Sequence, residues 1–227
     1  MTELEMWDAA DSEEFAGSLA GDIGFIIDSA LDARRDALVA LPAADFLMPA
    51  YETLAAQKRD WRHVTIVPTH DYLVAVDDER SQVAKLARLF MPKGARVMPL
   101  GSENPDYKLA GSAANARLED LSWPFDLILL TMSSGGDVAG LVASDDLDEA
   151  IDSPGDIRAA ALRTGDGEEL VALSGHSIRS ARTVTVALDD PAKQDTLEAA
   201  AEGNGDGSAA RIISSLTVPV DAHVVTG

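Results

Sequence analysis

Apolar residues follow two alternating rhythms along the chain. Within the first 35 residues, Phe15, Leu19, Ile23, Ile26, Ile27 and Leu31 fall at spacings of three and four. That is the repeat of one helical face, and it predicts a single long helix. Gly17, Gly21 and Gly24 lie inside it and lower its intrinsic propensity. The next apolar run, Ala37-Leu38-Val39-Ala40-Leu41, is short, continuous and stopped by Pro42, as in a strand buried on both faces. Further strands are predicted over 63–67, 96–100, 125–130, 157–163, 168–173 and 183–188. Helices are predicted over 49–57, 81–90, 106–118, 191–201 and 208–216, with a short one near 177–180. Ser81 suits a helix N-cap, and Gly165-Asp166-Gly167 suits a turn between strands. The polar stretch 69–80 and the glycine-rich 203–207 read as loops, and His223 falls in what reads as a tail.

Strands alternating with helices predict an α/β fold, a mostly parallel sheet with helices on both faces. No internal repeat or linker interrupts the pattern, so one domain is expected over residues 1–227. Ligands of such sheets bind beyond the carboxyl ends of the strands. The loops after Leu41, Val67, Leu130 and Leu188 are therefore where chemistry is expected.

Composition narrows the classes. With 46% hydrophobic and 25% charged residues the chain is globular in type. No apolar run reaches the roughly 20 residues a membrane span requires, and the acidic opening Met1-Thr2-Glu3-Leu4-Glu5 lacks the basic start of a signal peptide. A cytoplasmic location is expected. The absence of cysteine excludes disulfides, thiolate nucleophiles and zinc–thiolate sites. Asp and Glu number 39 against 18 Lys and Arg, a net charge of −21. Nucleic acid, which demands a positive footprint, is not an expected partner. An anionic small molecule remains compatible, given a local cationic cluster, because charges beyond about 8 Å are screened. The four histidines are scattered without metal-site spacing, and Trp7, Trp61 and Trp123, at element starts, read as core anchors.

Several phrases recur in a telling order. Trp61-Arg62-His63-Val64-Thr65 leads into one strand and Trp123-Pro124-Phe125-Asp126-Leu127-Ile128-Leu129-Leu130 into another. Leu147-Asp148-Glu149-Ala150, Ser180-Ala181-Arg182-Thr183-Val184 and Pro219-Val220-Asp221 follow. Together they resemble the 6-phosphogluconolactonase family over roughly residues 12 to 223. The resemblance implies a Rossmann-like sheet shared with glucosamine-6-phosphate deaminases. It also implies hydrolysis of 6-phosphogluconolactone in the pentose phosphate pathway, with no metal or organic cofactor. Such chemistry needs a general base to activate water and an anchor for the phosphate.

The site loops depart from that family. Where it carries a Gly-Gly-Ser-Thr-Pro phosphate loop, this chain has Ala43-Ala44-Asp45-Phe46-Leu47. A carboxylate about 4 Å from a phosphate repels it by about 4 kcal/mol per unit charge at an effective dielectric near 20. Thr-Asp-Glu-Arg is replaced by Thr69-His70-Asp71-Tyr72, and the later Asp78-Glu79-Arg80 reads as a turn leading into a helix. Gly-Met-Gly-x-Asp-Gly-His-Thr-Ala-Ser is matched by Thr131-Met132-Ser133-Ser134-Gly135-Gly136-Asp137-Val138-Ala139-Gly140, which sets Asp137 at the position of the catalytic histidine. Lys193 matches the lysine of Gly-x-x-Lys, Asp190 stands for its glycine, and the arginine position falls near Leu170.

The candidate catalytic residues are thus Asp137, Asp71 and His70. The candidate substrate- or phosphate-binding residues are Ala43, Ala44, Asp45, Tyr72, Ser133, Ser134, Gly135, Gly136 and Lys193. Three readings stand open: a lactonase with a rebuilt site, a non-catalytic binding or regulatory relative, and a hydrolase of an unphosphorylated lactone. The expected partner is a small sugar lactone or phosphosugar, and assembly into a homo-oligomer is compatible with each.

Overall fold

A computed structural model describes residues 2–101, 104 and 106–226. Met1, Ser102, Glu103, Pro105 and Gly227, which the expected first helix and the 1–227 domain touch, lie outside the described residues. The first half of the chain runs β1 (Leu4–Ala9), α1 (Ser12–Arg34), β2 (Ala37–Leu41), α2 (Met48–Ala56), β3 (Val64–Pro68), β4 (His70–Tyr72), α3 (Gln82–Phe90), β5 (Arg96–Val97) and α4 (Tyr107–Glu119). The second half runs β6 (Leu127–Thr131), α5 (Leu147–Ile151), β7 (Ala159–Arg163), β8 (Glu169–Leu173), α6 (Gly175–Arg179), β9 (Val184–Leu188), α7 (Gln194–Ala201), α8 (Ser208–Ile213) and β10 (Val220–Val225).

Seven strands form a wholly parallel sheet in the order β1-β10-β9-β6-β2-β3-β5. A separate three-stranded antiparallel sheet, β4-β8-β7, packs beside it. The central strands explain why a parallel sheet was legible. In β2, Leu38 and Ala40 enter the core cluster shared with α4, β7 and α8, while Ala37, Val39 and Leu41 enter the one shared with α1, α2 and α3. In β6, Ile128 and Leu130 face the first cluster and Leu127 and Leu129 the second. Side chains alternate between faces with a period of two, so a strand covered on both sides must be apolar throughout.

Three expectations need correction, all at strands. The predicted first helix is a strand followed by a helix, because Leu4–Ala9 pairs in parallel with β10, Leu4 opposite Val220. Asp11 starts the helix instead, its Oδ1 accepting the backbone N–H groups of Glu13 and Glu14 at 2.9 Å. The supposed tail is β10, the second strand of the sheet, and His223 within it is 1% exposed. Part of the polar loop after β3 is β4, which pairs antiparallel to β8 with His70 opposite Ala172 and Tyr72 opposite Leu170. Ser81 does cap α3, accepting the N–H of Ala84 at 3.3 Å. Trp61 is buried, whereas Trp7 on the edge strand is half-exposed and donates to Asp221 Oδ1 at 3.3 Å.

Candidate active site

The strand order reverses between β2 and β6, whose chain successors lie on opposite sides of that pair. A crevice is expected at the carboxyl ends of such a pair, and a cleft of about 510 Å3 opens there. Its walls come from four loops. Ala44, Asp45 and Phe46 follow β2; His70 and Tyr72 follow β3; Thr131, Met132, Ser133, Asp137, Ala139, Gly140 and Val142 end or follow β6; Asp189 and Lys193 follow β9.

The short strand β4 decides which polar groups of 69–72 reach the cleft. His70 and Tyr72 line it, their rings meeting edge-on with centroids 5.9 Å apart. Asp71, between them on the alternating backbone, turns to the other side. There it is 1% exposed and accepts the N–H of Gln82 at 2.8 Å and of Val83 at 3.2 Å. Asp71 therefore leaves the catalytic set. It satisfies the free amides at the start of α3, as a carboxylate at a helix N-terminus does. Burial raises its pKa to about 6 despite those hydrogen bonds. Burial moves His70 the other way, to about 4, so the imidazole is uncharged at neutral pH. Thr69 Oγ1 lies 3.3 Å from its Nδ1.

After β6 the chain makes a tight turn rather than an open nest. Ser133 N–H donates to the carbonyl of Asp137 at 2.9 Å, Gly136 N–H to that of Ser133 at 3.0 Å, and Asp137 N–H to Ser133 Oγ at 3.0 Å. The amides of Ser133, Gly136 and Asp137 are spent internally, and Ser134, Gly135 and Gly136 do not line the cleft, so the stretch presents no amide nest to it. The turn is held from outside by the start of α8: Ala209 N–H donates to Gly136 O at 2.9 Å and Val138 N–H to Ser208 Oγ at 3.0 Å. Ser208 N–H also donates to Asp137 Oδ1 at 3.3 Å. One carboxylate oxygen of Asp137 is thereby oriented and Oδ2 is left over, while the residue lines the cleft.

The remaining loops are equally committed. Ala43 is fully buried, its N–H donating to Gln82 Oε1 at 2.8 Å, and it does not reach the cleft. Ala44, Asp45 and Phe46 do reach it, and Asp45 accepts from Lys85 Nζ at 2.9 Å. Lys193 is only 15% exposed; its Nζ donates to Asp189 Oδ1 at 2.5 Å and to the carbonyl of Met132 at 2.8 Å. Arg80 of the tempting 78–80 triplet is taken by Asp78 and Glu168 at 3.0 Å each. Among the described residues no arginine lines the cleft, and Asp137 has no ion-pair partner.

Sequence reasoning assigned no role to Phe46, Val142 and Gly140, which complete the wall. Gly140 had a signal, since a glycine closing a site loop often permits a close approach; here φ is +74° and His70 packs against it. A second cavity of about 300 Å3, between α4, α5 and β7, has a floor of Ala150, Ala159 and Ala161 and lies away from the four strand-end loops. No group of three or more histidine, aspartate or glutamate side chains stands close enough to hold a metal ion among the described residues. No helix among them is long and apolar enough to cross a membrane.

A parallel sheet with a cleft at its reversal point, built by loops after β2, β3, β6 and β9, defines a Rossmann-like α/β protein. The chain belongs to the family of glucosamine-6-phosphate isomerases and 6-phosphogluconolactonases, whose model matches residues 10–219. Among named relatives it is 27% identical over 206 residues to 6-phosphogluconolactonase of Pseudomonas putida, covering 88% of this chain and 85% of that protein. The corresponding protein of Rhizobium meliloti is 26% identical over 196 residues, with 84% of each chain covered. The fold matches a crystal structure of a 6-phosphogluconolactonase from Shewanella baltica with a TM-score of 0.87 at 18% identity, over 100% of this chain and 98% of that one. It matches a 6-phosphogluconolactonase from Thermotoga maritima with a TM-score of 0.83 at 16% identity, over 99% and 100%.

Proposed function

We propose that the cleft hydrolyses the ester of a sugar lactone, and that 6-phosphogluconolactone, the substrate named for its relatives, is turned over there. The observation that carries this reading is the meeting of Asp137 and His70, from two separate strand-end segments, in one cleft at the sheet's reversal point, with Lys193 tying two of its walls together. Asp137, with Oδ2 free of the hydrogen bond that fixes Oδ1, takes a proton from water as the water oxygen adds to the lactone carbonyl. The tetrahedral intermediate collapses as the bond from the carbonyl carbon to the ring oxygen breaks, Asp137 returns the proton to that oxygen, and the aldonic acid formed ionises to the aldonate by releasing its proton to solvent. His70, an uncharged imidazole at neutral pH, brings one N–H donor and one acceptor nitrogen to the cleft wall, the donor being the one suited to the lactone oxygens. Phe46 and Tyr72 supply apolar surface for the sugar's C–H faces.

This reading assigns the protein to carbohydrate metabolism, in the cytoplasm, with a small-molecule lactone rather than nucleic acid as its partner. It is tested by following freshly generated 6-phosphogluconolactone. The protein is expected to exceed the spontaneous rate, and Asp137→Asn to lose about 10²- to 10⁴-fold of that acceleration, the usual range for a general base. Hydrolysis no faster than the spontaneous reaction refutes turnover of the phosphorylated lactone, and the lactone-hydrolase reading itself falls if glucono-δ-lactone is not accelerated either.

A further inference from the structure

Among the described residues, the one cationic side chain that lines the cleft, Lys193, is already engaged. Lys193 is tied to Asp189 and to the Met132 carbonyl. Lys85, behind the rim, is tied to Asp45. The backbone N–H groups of Ala43, Ser133, Gly136 and Asp137 are all donating within the protein. What faces the cleft instead is three carboxylates, those of Asp45, Asp137 and Asp189, and Asp137 has no cationic partner among the described residues. To gain a cationic partner, a phosphate dianion would have to displace an existing ion pair, and it would sit beside an unpaired carboxylate. A sugar hydroxymethyl group meets neither obstacle, because hydroxyls donate to carboxylates.

On the reading of this cleft as a lactone hydrolase, we propose that its phosphate recognition has been lost and that an unphosphorylated aldonolactone is a substrate at least as good as the 6-phosphate. The reaction balances without any further reactant. Water adds to the lactone carbonyl, the bond from that carbon to the ring oxygen breaks, one water proton passes to the released oxygen, and the aldonic acid formed gives its remaining acidic proton to solvent as the free aldonate. Aspartates that oppose a phosphate accept hydrogen bonds from the several hydroxyls of a neutral sugar, which reverses the usual preference.

The test compares kcat/KM for freshly dissolved glucono-δ-lactone and 6-phosphogluconolactone on the same purified protein, each corrected for spontaneous hydrolysis. The expected ratio is at least unity in favour of the unphosphorylated lactone. Asp189→Asn, which releases the Lys193 ammonium, is expected to raise the relative kcat/KM for the phosphorylated substrate by roughly tenfold, the scale of one gained charge contact. A higher kcat/KM for the phosphorylated lactone overturns this inference and leaves the lactonase reading standing; a dedicated phosphate grip would make that preference roughly 100-fold. Acceleration of neither substrate overturns both.

Discussion

A Cβ placed on Gly140 would stand 2.7 Å from both Cβ and Cγ of His70, so the bare glycine is what admits the imidazole to the cleft wall. The same residue sits at φ +74°, where a side chain costs roughly 1–2 kcal/mol on backbone grounds alone. Gly140→Ala combines that strain with a clash against the rigid start of the His70 side chain. It is expected to destabilise by about 2–4 kcal/mol and to depress lactone hydrolysis by moving His70. Denaturant unfolding and rate measurements on the same preparation check both effects. A variant as stable as the parent would show that His70 has room to move.

His70 and Asp71 are neighbours in sequence whose titrations oppose one another. The pKa of His70 is lowered to about 4 from an ordinary value near 6.5, so its contribution to stability is present above 6.5 and lost as pH falls through 4. For Asp71 it is raised to about 6 from near 3.9, so its contribution is present at low pH and lost as pH rises through 6. Each is worth at most about 3 kcal/mol, and over pH 4 to 6 they largely cancel. His70→Asn is then expected to gain stability as pH falls through that window, while Asp71→Asn loses it more steeply than the parent. Tm profiles of the three proteins between pH 4 and 7 decide the matter; parallel profiles would refute the assignment.

Much of this arrangement was readable in advance. The runs at Ala37–Leu41 and Leu127–Thr131 are apolar at every position but the last, Thr131, so the parallel sheet and the strand-end loops that follow these two strands were legible from them. Strands carrying polar residues were harder. In β1, Leu4 and Met6 alternate with Glu5 and Trp7 on a sheet edge, and the pattern merged with the helix that Asp11 begins. In β10, Val220, Ala222 and Val224 alternate with Asp221 and His223, too briefly to outweigh a position near the end. Strand β4 exists only through its pairing with β8, about a hundred residues away, and that pairing is what sends His70 to the cleft and Asp71 to α3. No local pattern encodes it. The conflict between Asp45 and a phosphate was visible in the sequence; the internal bonding of the Ser133, Gly136 and Asp137 amides was not.

The glycines of α1 separate into two kinds. Added Cβ atoms at Gly17 and Gly21 would meet nothing within 4 Å, whereas one at Gly24 would lie 2.7 Å from Arg59 Nη2 and 2.8 Å from Gln57 Oε1. The Arg59 side chain is almost fully buried, lies over the Trp61 ring at 5.2 Å and pairs with Asp28 at 2.6 Å, so it has little freedom to yield. Gly17→Ala and Gly21→Ala are each expected to stabilise by about 0.5–1 kcal/mol, through helix propensity and a less flexible unfolded chain. Gly24→Ala is expected to be destabilising in spite of the same propensity gain. Unfolding midpoints of the three single variants test this; an equal gain at all three positions would mean that Arg59 gives way freely.

Lys193 offers the sharpest separation between holding the protein and holding the substrate. Its ammonium joins the end of β6, through the Met132 carbonyl, to the loop after β9, through Asp189. Lys193→Met keeps the apolar stem and removes both hydrogen bonds, at an expected cost of about 1–3 kcal/mol because the donor is charged and poorly exposed. If the ammonium is only this tie, hydrolysis of glucono-δ-lactone and of 6-phosphogluconolactone falls by the same factor, through a slackened cleft. A phosphate clamp would behave differently: KM for the phosphorylated lactone alone would rise, by roughly tenfold or more, as when a direct charge contact is removed. Equal losses with both substrates are the expected result, since two of the three ammonium hydrogens are already donated within the protein.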